Sequence, residues 1–362
     1  MGRRLSGGGL PGSARGRSVG STGANDADHE PGDAGFDRGG AGLALDHPAR
    51  QHLARDLLGW GEPRPRPPEG LTAQLRAELE SELTAAGLHE VTSGAPGDRV
   101  TITKTRLERL ACDGWQRDPR PYEHTRANVR GSLAHAVIAR DWEESRTRPA
   151  EHVVAAVWQA EASRRPGDPA SLSWWLNHQP PQVASDLRRE VAELLETFRE
   201  VWPPLPRGRV VLRVERPIEL HLAKGRVVLR GVPDLVLASP VRDERARTLV
   251  VDLKTGRPRP EQDRQELRFY ALLVALADDR PPFRWASFYV TEGRSEVEEL
   301  RADTLEAAVR RVVDGVRQLL RLASDPDDTE LVIRAGAWCA YCRREPDCTV
   351  AAAARAAAPS AP

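Results

Sequence analysis

Near residue 206 the apolar periodicity of the chain switches from helical to strand-like, and this switch limits the possible folds more than any other feature of the sequence. Before it, Leu71, Leu75, Leu79 and Leu83 recur at helical spacing, with Gly87 placed to end the helix. A second helix is predicted from the Thr103 and Thr105 caps through Leu107 and Leu110 to Cys112, and a third over 130–145 with Leu133, Val137 and Ile138 on one side. Helices over 151–163 and 181–201 follow, the latter with the stripe Val183, Leu187, Val191, Leu194, Leu195 and Phe198. After the switch come short β-branched runs at 210–214, 218–222, 227–229, 235–237 and 249–253, separated by Gly, Pro and charged turns. A helix over 261–277, strands at 284–291 and near 296–300, and a helix over 304–322 complete an α/β core: a mixed central sheet flanked by helices, with a helical segment before it.

Outside these segments the composition decides. Residues 1 to about 50 are Gly, Ser, Asp and Arg with little apolar periodicity, so they are expected to be disordered. His52 to Trp60 is expected to form a short amphipathic turn, and Pro63, Pro65, Pro67 and Pro68 a stiff linker. The predicted organisation is a tail and linker over 1–68, a helical segment over 69–205, the α/β core over 206–325, a cysteine segment over 326–350 and a second tail over 351–362. Basic and acidic residues number 53 each, which excludes a globally basic nucleic-acid coat. No apolar run approaches the roughly 18 residues of a membrane span, so a soluble, cytoplasmic protein without membrane partners is expected. In that compartment four cysteines point to metal or catalysis before disulfides.

Lysine is scarce: Lys104, Lys224 and Lys254 stand among 50 arginines, a bias with the look of a GC-rich genome. A lysine that survives such a bias is a candidate for a position needing a compact ammonium. The three are preceded by Thr103, Ala223 and Leu253, so none belongs to a Gly-Lys-Ser/Thr phosphate loop, and the chain carries no P-loop motor.

Chemistry concentrates in Gly231-Val232-Pro233-Asp234 and, one turn later, Val250-Val251-Asp252-Leu253-Lys254-Thr255-Gly256. Asp252 and Lys254 are two apart on a predicted strand and leave the same face of the sheet. Asp234 at a strand end can place its carboxylate beside Asp252. Two acids and an ammonium on one buried face call for a neutralising cation, and hard carboxylate oxygens suit magnesium or manganese. Taken singly, the aspartates are more readily explained as turn residues and Lys254 as a surface charge.

In combination, the segment resembles the PD-(D/E)xK nuclease superfamily, and within it the RecB-like exonucleases, whose core reads Gly-x-x-Asp and then Asp-x-Lys-Thr-Gly. The resemblance covers about residues 100 to 350. It implies a restriction-endonuclease-like fold and metal-dependent hydrolysis of DNA at single-stranded or duplex ends, in repair or recombination. It also implies site residues. Asp234, Asp252, Lys254, Glu266 and Tyr270 would be catalytic, with His135, Asp234, Asp252 and the Leu253 carbonyl on the metal. His135 fits the branch's Gly-x-x-x-His setting through Gly131. Glu266 and Tyr270 fit its Gln-x-x-x-Tyr, with glutamate where glutamine is usual, and Glu215 matches an acidic position often seen there.

Cys339, Cys342 and Cys348 form Cys-x2-Cys-x5-Cys, and Cys112 lies far upstream. Spacing alone admits a tetrahedral zinc or a four-iron four-sulfur cluster. One cysteine before the core and three after it resembles the AddB-type and CRISPR adaptation nucleases, which implies an iron-sulfur cluster acting as a C-terminal staple. Arg106, Arg109, Arg117, Arg120, Arg126 and Arg130, with Trp115 and Tyr122 among them, could line a single-strand channel; interleaved acids leave a solvated face equally open. Arg106, Arg130 and Tyr122 are the named candidates for DNA contact. A CRISPR-type spacer-processing nuclease and an inactive iron-sulfur DNA-binding subunit of a helicase-nuclease complex are the alternatives, and a helicase or other ATPase in trans is an open partner.

Overall fold

The computed structural model describes residues 48–59, 61–88, 99–144, 146–202, 210–241, 243–325 and 327–357. In chain order the helices are α1 (Pro48–Asp56), α2 (Leu71–Leu83), α3 (Lys104–Arg109), α4 (Asp113–Arg117), α5 (Arg126–Glu143), α6 (Ala150–Ala162), α7 (Leu172–Asn177), α8 (Pro181–Val201), α9 (Pro260–Asp278), α10 (Ala302–Ser324) and α11 (Thr349–Ala357). The strands are β1 (Val100–Ile102), β2 (Val211–Val214), β3 (Ile218–Leu222), β4 (Val227–Gly231), β5 (Leu235–Ala238), β6 (Thr248–Lys254), β7 (Arg284–Tyr289) and β8 (Arg294–Glu299). The fold is the expected α/β one, with helices around mixed sheets.

The predicted strands divide between two sheets rather than forming one run of neighbours. A five-stranded sheet has the order β2-β5-β6-β7-β8, and a three-stranded sheet the order β1-β4-β3. In the larger sheet β6 pairs parallel with β7 and the remaining pairs are antiparallel. A parallel neighbour needs a crossover, and α9 supplies it. Along β6, Leu249, Val251 and Leu253 join the core made with α1, α5, α6 and α8, while Val250 joins the core made with α2, α9 and α10. Each such buried aliphatic side chain stabilises the fold by about 1.5–3 kcal/mol. Because strand side chains alternate, Asp252 and Lys254 share the face of Val250 and point towards α9. The smaller sheet sets two further positions. Ile102 of β1 pairs with Leu229 of β4, and the chain then turns at Thr103, whose hydroxyl caps α3 by accepting from Arg106 N at 3.1 Å. From Gly231 at the end of β4 the chain passes through Asp234 into β5 and so into the larger sheet.

Several boundaries differ from expectation. Among the described residues, packing against the core starts before Leu71: Leu53, Leu57 and Leu58 are buried, and Arg64 is buried with its guanidinium donating to the Leu58 and Gly59 carbonyls. Pro65 accepts from Ala246 N at 2.9 Å, so the expected linker is laid against the core instead of standing free. Residues 1–47 and Trp60 lie outside the described residues. The stretch expected as a second tail is helical to Ala357 in α11, with Ala351 buried. The helix expected to reach Cys112 ends at Arg109, and Cys112 begins α4 instead.

Residues 112–120 and 322–348 are knitted together. Asp113 N donates to Val332 O, Arg120 N to Tyr341 O and Arg343 N to Asp118 O. The Asp113 carboxylate is buried and accepts from Gln318 Nε2 at 2.6 Å, from Val332 N at 2.7 Å and from Arg321 Nη2 at 2.5 Å. Among the described residues no helix is long and apolar enough to cross a membrane.

Candidate active site

The site forms where α5, α9, α3 and the turn before β5 meet the end of β6. Two glycines permit that approach. A Cβ on Gly231 would lie 2.7 Å from Tyr270 Cε1 and 2.9 Å from Leu273 Cδ2, so only glycine lets α9 lie this close to β4. A Cβ on Gly131 would lie 3.2 Å from Thr255 Oγ1, so α5 also runs tight against the end of β6.

On one side of the site stand His135 from α5, Glu215 after β2 and Asp234 before β5, whose ligand atoms all lie within 4.8 Å of one another. His135 Nδ1 is 3.1 Å from Asp234 Oδ1. Adjacent vertices around an octahedral ion with bonds of about 2.1 Å are about 3 Å apart, so this pair has ligand spacing. Glu215 is held with φ at 44°, in left-handed backbone that a non-glycine residue adopts at a cost of about 1–3 kcal/mol. Its N–H donates to Asp234 O at 2.9 Å, which fixes the two acids side by side. Burial opposes charge on His135, but the Asp234 carboxylate, backed by Asp252 and Glu215, outweighs it and raises the imidazole pKa to about 9. Burial and Asp234 push the Glu215 carboxyl up. Two carboxylates that resist sharing one site as bare charges, with an imidazole nitrogen beside them, fit a divalent cation such as magnesium or manganese.

The other side is a clamp of carboxylates and ammoniums. Asp252, 2% exposed, has Oδ2 at 2.6 Å from Lys254 Nζ and Oδ1 at 3.6 Å from Lys104 Nζ. Lys254 Nζ also meets Glu266 Oε2 at 2.8 Å and Asp263 Oδ1 at 3.2 Å. Lys104 reaches the same Glu266 oxygen at 3.4 Å and lies 5.2 Å above the Tyr270 ring. Burial favours a neutral Asp252, yet Lys104 and Lys254 overcome it and hold its carboxyl below the ordinary range. Burial would likewise strip both lysines, but Asp252 and the neighbouring groups keep their ammoniums well above the ordinary lysine range. Burial pushes the Tyr270 hydroxyl up to about 12, so near neutrality it stays a proton donor. The two halves touch through Asp234 Oδ2, which accepts from Leu253 N at 2.6 Å and so sets the peptide beside the histidine.

Of the residues named from sequence, His135, Asp234, Asp252, Leu253, Lys254, Glu266 and Tyr270 converge here. Arg130 lies at the rim, donating to Thr255 O at 3.2 Å. Arg106 turns to the Thr101 carbonyl, and Tyr122 is 64% exposed, edge-on to His124. Lys104 and Asp263 were not picked out as site residues. Lysine scarcity was the available signal for Lys104. Asp263 looked like an ordinary first-turn acid of α9, and it does accept from Arg259 N at 2.9 Å. Beside Glu266 a cleft of about 730 Å³ is lined by Arg259, Arg310, Trp338 and Tyr341, with Trp115 stacked on Trp338 at 6.4 Å.

A second pocket, about 480 Å³, is lined by all four cysteines, Cys112, Cys339, Cys342 and Cys348, and none of them forms a disulfide. Gly336 N and Ala351 N point at the sulfurs of Cys339 and Cys348 at 3.5 and 3.4 Å. Burial raises the Cys342 thiol, and the other three thiols add to that rise. All four cysteines thus face one pocket, two of them with backbone N–H groups turned to their sulfurs.

Residues 105–349 match the PD-(D/E)XK nuclease superfamily, and the chain belongs to it. Members are metal-dependent nucleases, which makes DNA the substrate class and phosphodiester hydrolysis the reaction class. A solved structure titled "Crystal structure of SSO0001" is similar at 16% identity over 76% of this chain and 93% of that one, with a TM-score of 0.26, too loose to carry an inference. No curated protein matches the chain.

Proposed function

We propose that the protein is a RecB-like DNA exonuclease of repair or recombination, with an iron-sulfur staple. The observation that carries the reading is the pairing of the His135, Glu215 and Asp234 group with the Lys254 clamp, joined through Asp234 and Leu253. Magnesium or manganese would be held by His135, Asp234 and Glu215, with Asp252 and the Leu253 carbonyl beside them. Such an ion, when bound, lowers the pKa of a coordinated water and polarises a phosphate oxygen. Asp252 stays ionised because two ammoniums face it. Lys254 orients the attacking water and offsets charge growing on the phosphate. Glu266 holds that lysine in place, and Tyr270 the DNA backbone. The cleft beside Glu266, with arginines along an aromatic stack, has the chemistry of a single-strand path, phosphates on Arg259 and Arg310 and bases on Trp338 and Tyr341.

For the thiols, a four-iron four-sulfur cluster is favoured over zinc. Zinc-sulfur bonds of about 2.3 Å put tetrahedral sulfurs roughly 3.8 Å apart. Among the described residues, no three cysteine sulfurs lie within 4.8 Å of one another, the span that the His135 group satisfies. The cluster would staple residues around Cys112 to the C-terminal segment. A reduced set of thiols also suits the cytoplasm. Strand opening would come from an ATPase in trans, read by co-purification.

The deciding experiment is digestion of end-labelled single- and double-stranded DNA with magnesium or manganese. Release of nucleotides from ends is expected, abolished in Asp252→Ala and Lys254→Ala. Cleavage at internal positions set by a short flanking sequence would move the assignment to the CRISPR-type nucleases. Tight binding without cleavage in either metal would make the protein an inactive DNA-binding subunit. A brown anaerobic preparation with iron and sulfide in near-equal amounts is expected; a colourless zinc protein would overturn the cluster alone.

A further inference from the structure

A buried carboxylate at Glu266 is out of keeping with a position where the RecB-like pattern has a neutral amide, and the structure holds a counterpart for it. Glu266 is 6% exposed, and its Oε2 is shared by two ammoniums, Lys254 at 2.8 Å and Lys104 at 3.4 Å. The same two lysines divide Asp252, one to each oxygen. Lys254 Nζ lies within ion-pair distance of three acids, Asp252, Asp263 and Glu266, and donates a hydrogen bond to Glu266. Without Lys104, those acids would face one buried ammonium and the half-open Arg259, whose guanidinium approaches no nearer than 3.9 Å to Asp263 and Glu266. Without the Glu266 charge, two ammoniums would crowd against Asp252.

We propose that Lys104 and Glu266 form one charge-compensated pair that positions the Lys254 ammonium against Asp252, Lys104 being a positioning residue that makes a glutamate workable at this place. Removing both charges together restores the balance that removing either one breaks. The inference rests on the nuclease reading for its effect on cleavage, but the pairing itself does not.

The test is a double-mutant cycle of Lys104→Met, Glu266→Gln and the double variant, with Lys104→Gln as a second, more polar removal. Melting temperatures of the metal-free protein and kcat and KM for DNA cleavage are both read. Each single change is expected to lower the melting temperature and to reduce kcat about tenfold or more with little change in KM, since the residues align Lys254 rather than bind the strand. The double variant is expected to recover to within about threefold of the unchanged protein in kcat, and to melt above either single variant. Additive losses in melting temperature would overturn the pair. Non-additive melting with no recovery of kcat in the double would overturn the positioning role. If the unchanged protein cleaves no DNA, the nuclease reading fails on its own, and the melting cycle still decides the pair.

Discussion

Lys254 is the residue on which the site balances. It is the nearest cation to three buried acids, so removing it leaves Asp252, Asp263 and Glu266 facing Lys104 and a distant arginine. Breaking a buried ion pair from one side costs about 3–5 kcal/mol. Lys254→Met is therefore expected to lose that much stability, read by denaturant unfolding of the metal-free protein, and to cut cleavage by about a hundredfold or more. A variant as stable as the unchanged protein would mean that Asp252 or Glu266 has taken up a proton in its place. His135 gives the complementary reading at this scale. Its imidazole sits 3.1 Å from Asp234 and holds its proton to about pH 9 in the absence of a cation, so metal and proton compete for the same edge.

At the scale of elements, α9 matters most, because it serves as the β6 to β7 crossover, the wall of one core and the carrier of Asp263, Glu266 and Tyr270. Its seat depends on Gly231. Gly231→Ala would drive a methyl into the Tyr270 ring, at a cost of about 1–3 kcal/mol for an overpacked contact. The expected result is a lower melting temperature together with weaker cleavage, since the ring and Glu266 lie one turn apart on the same helix. Unchanged cleavage at reduced stability would separate the helix seat from the chemistry. Much of this element scale was legible in sequence. The continuous apolar run Leu249, Val250, Val251 with Leu253 marks a strand buried on both faces, and the two-residue step puts Asp252 and Lys254 on one face. The partition into two sheets was not legible, because alternation specifies a face and not a partner strand. β1 is three residues long and has too little pattern to register, yet it is the element that aims Lys104 at the site. α1 was underestimated because Leu53 and the two leucines after it, Leu57 and Leu58, stand among Gly- and Pro-rich neighbours, and their burial depends on α8 and the sheet rather than on local propensity.

At the scale of the whole molecule, the segment around Cys112 and the segment after α10 are joined at the thiol pocket, and Asp113 is the protein's own fastening there. Burial raises its carboxyl, but hydrogen bonds from Gln318, Val332 and Arg321 outweigh that and leave it below the ordinary range. A depressed acid contributes stability that is fully present above its unfolded value, about 3.9, and is lost as pH falls through the lower folded value. The 327–348 segment is thus expected to become open to proteolysis on acidification below about pH 4. Asp113→Asn should open it already at neutral pH; equal protection in both proteins across that range would remove Asp113 from this role. The one-plus-three arrangement of the thiols also fixes an order of events during synthesis. Chains leave the ribosome amino end first, so Cys112 emerges and the whole catalytic sheet is laid down before Cys339, Cys342 and Cys348 follow. The pocket cannot be lined by all four sulfurs until the segment from Cys339 to Cys348 has followed. A chain cut short inside α10 would still hold every residue of the His135 and Lys254 groups, yet it would lack three of the four sulfurs that line the pocket.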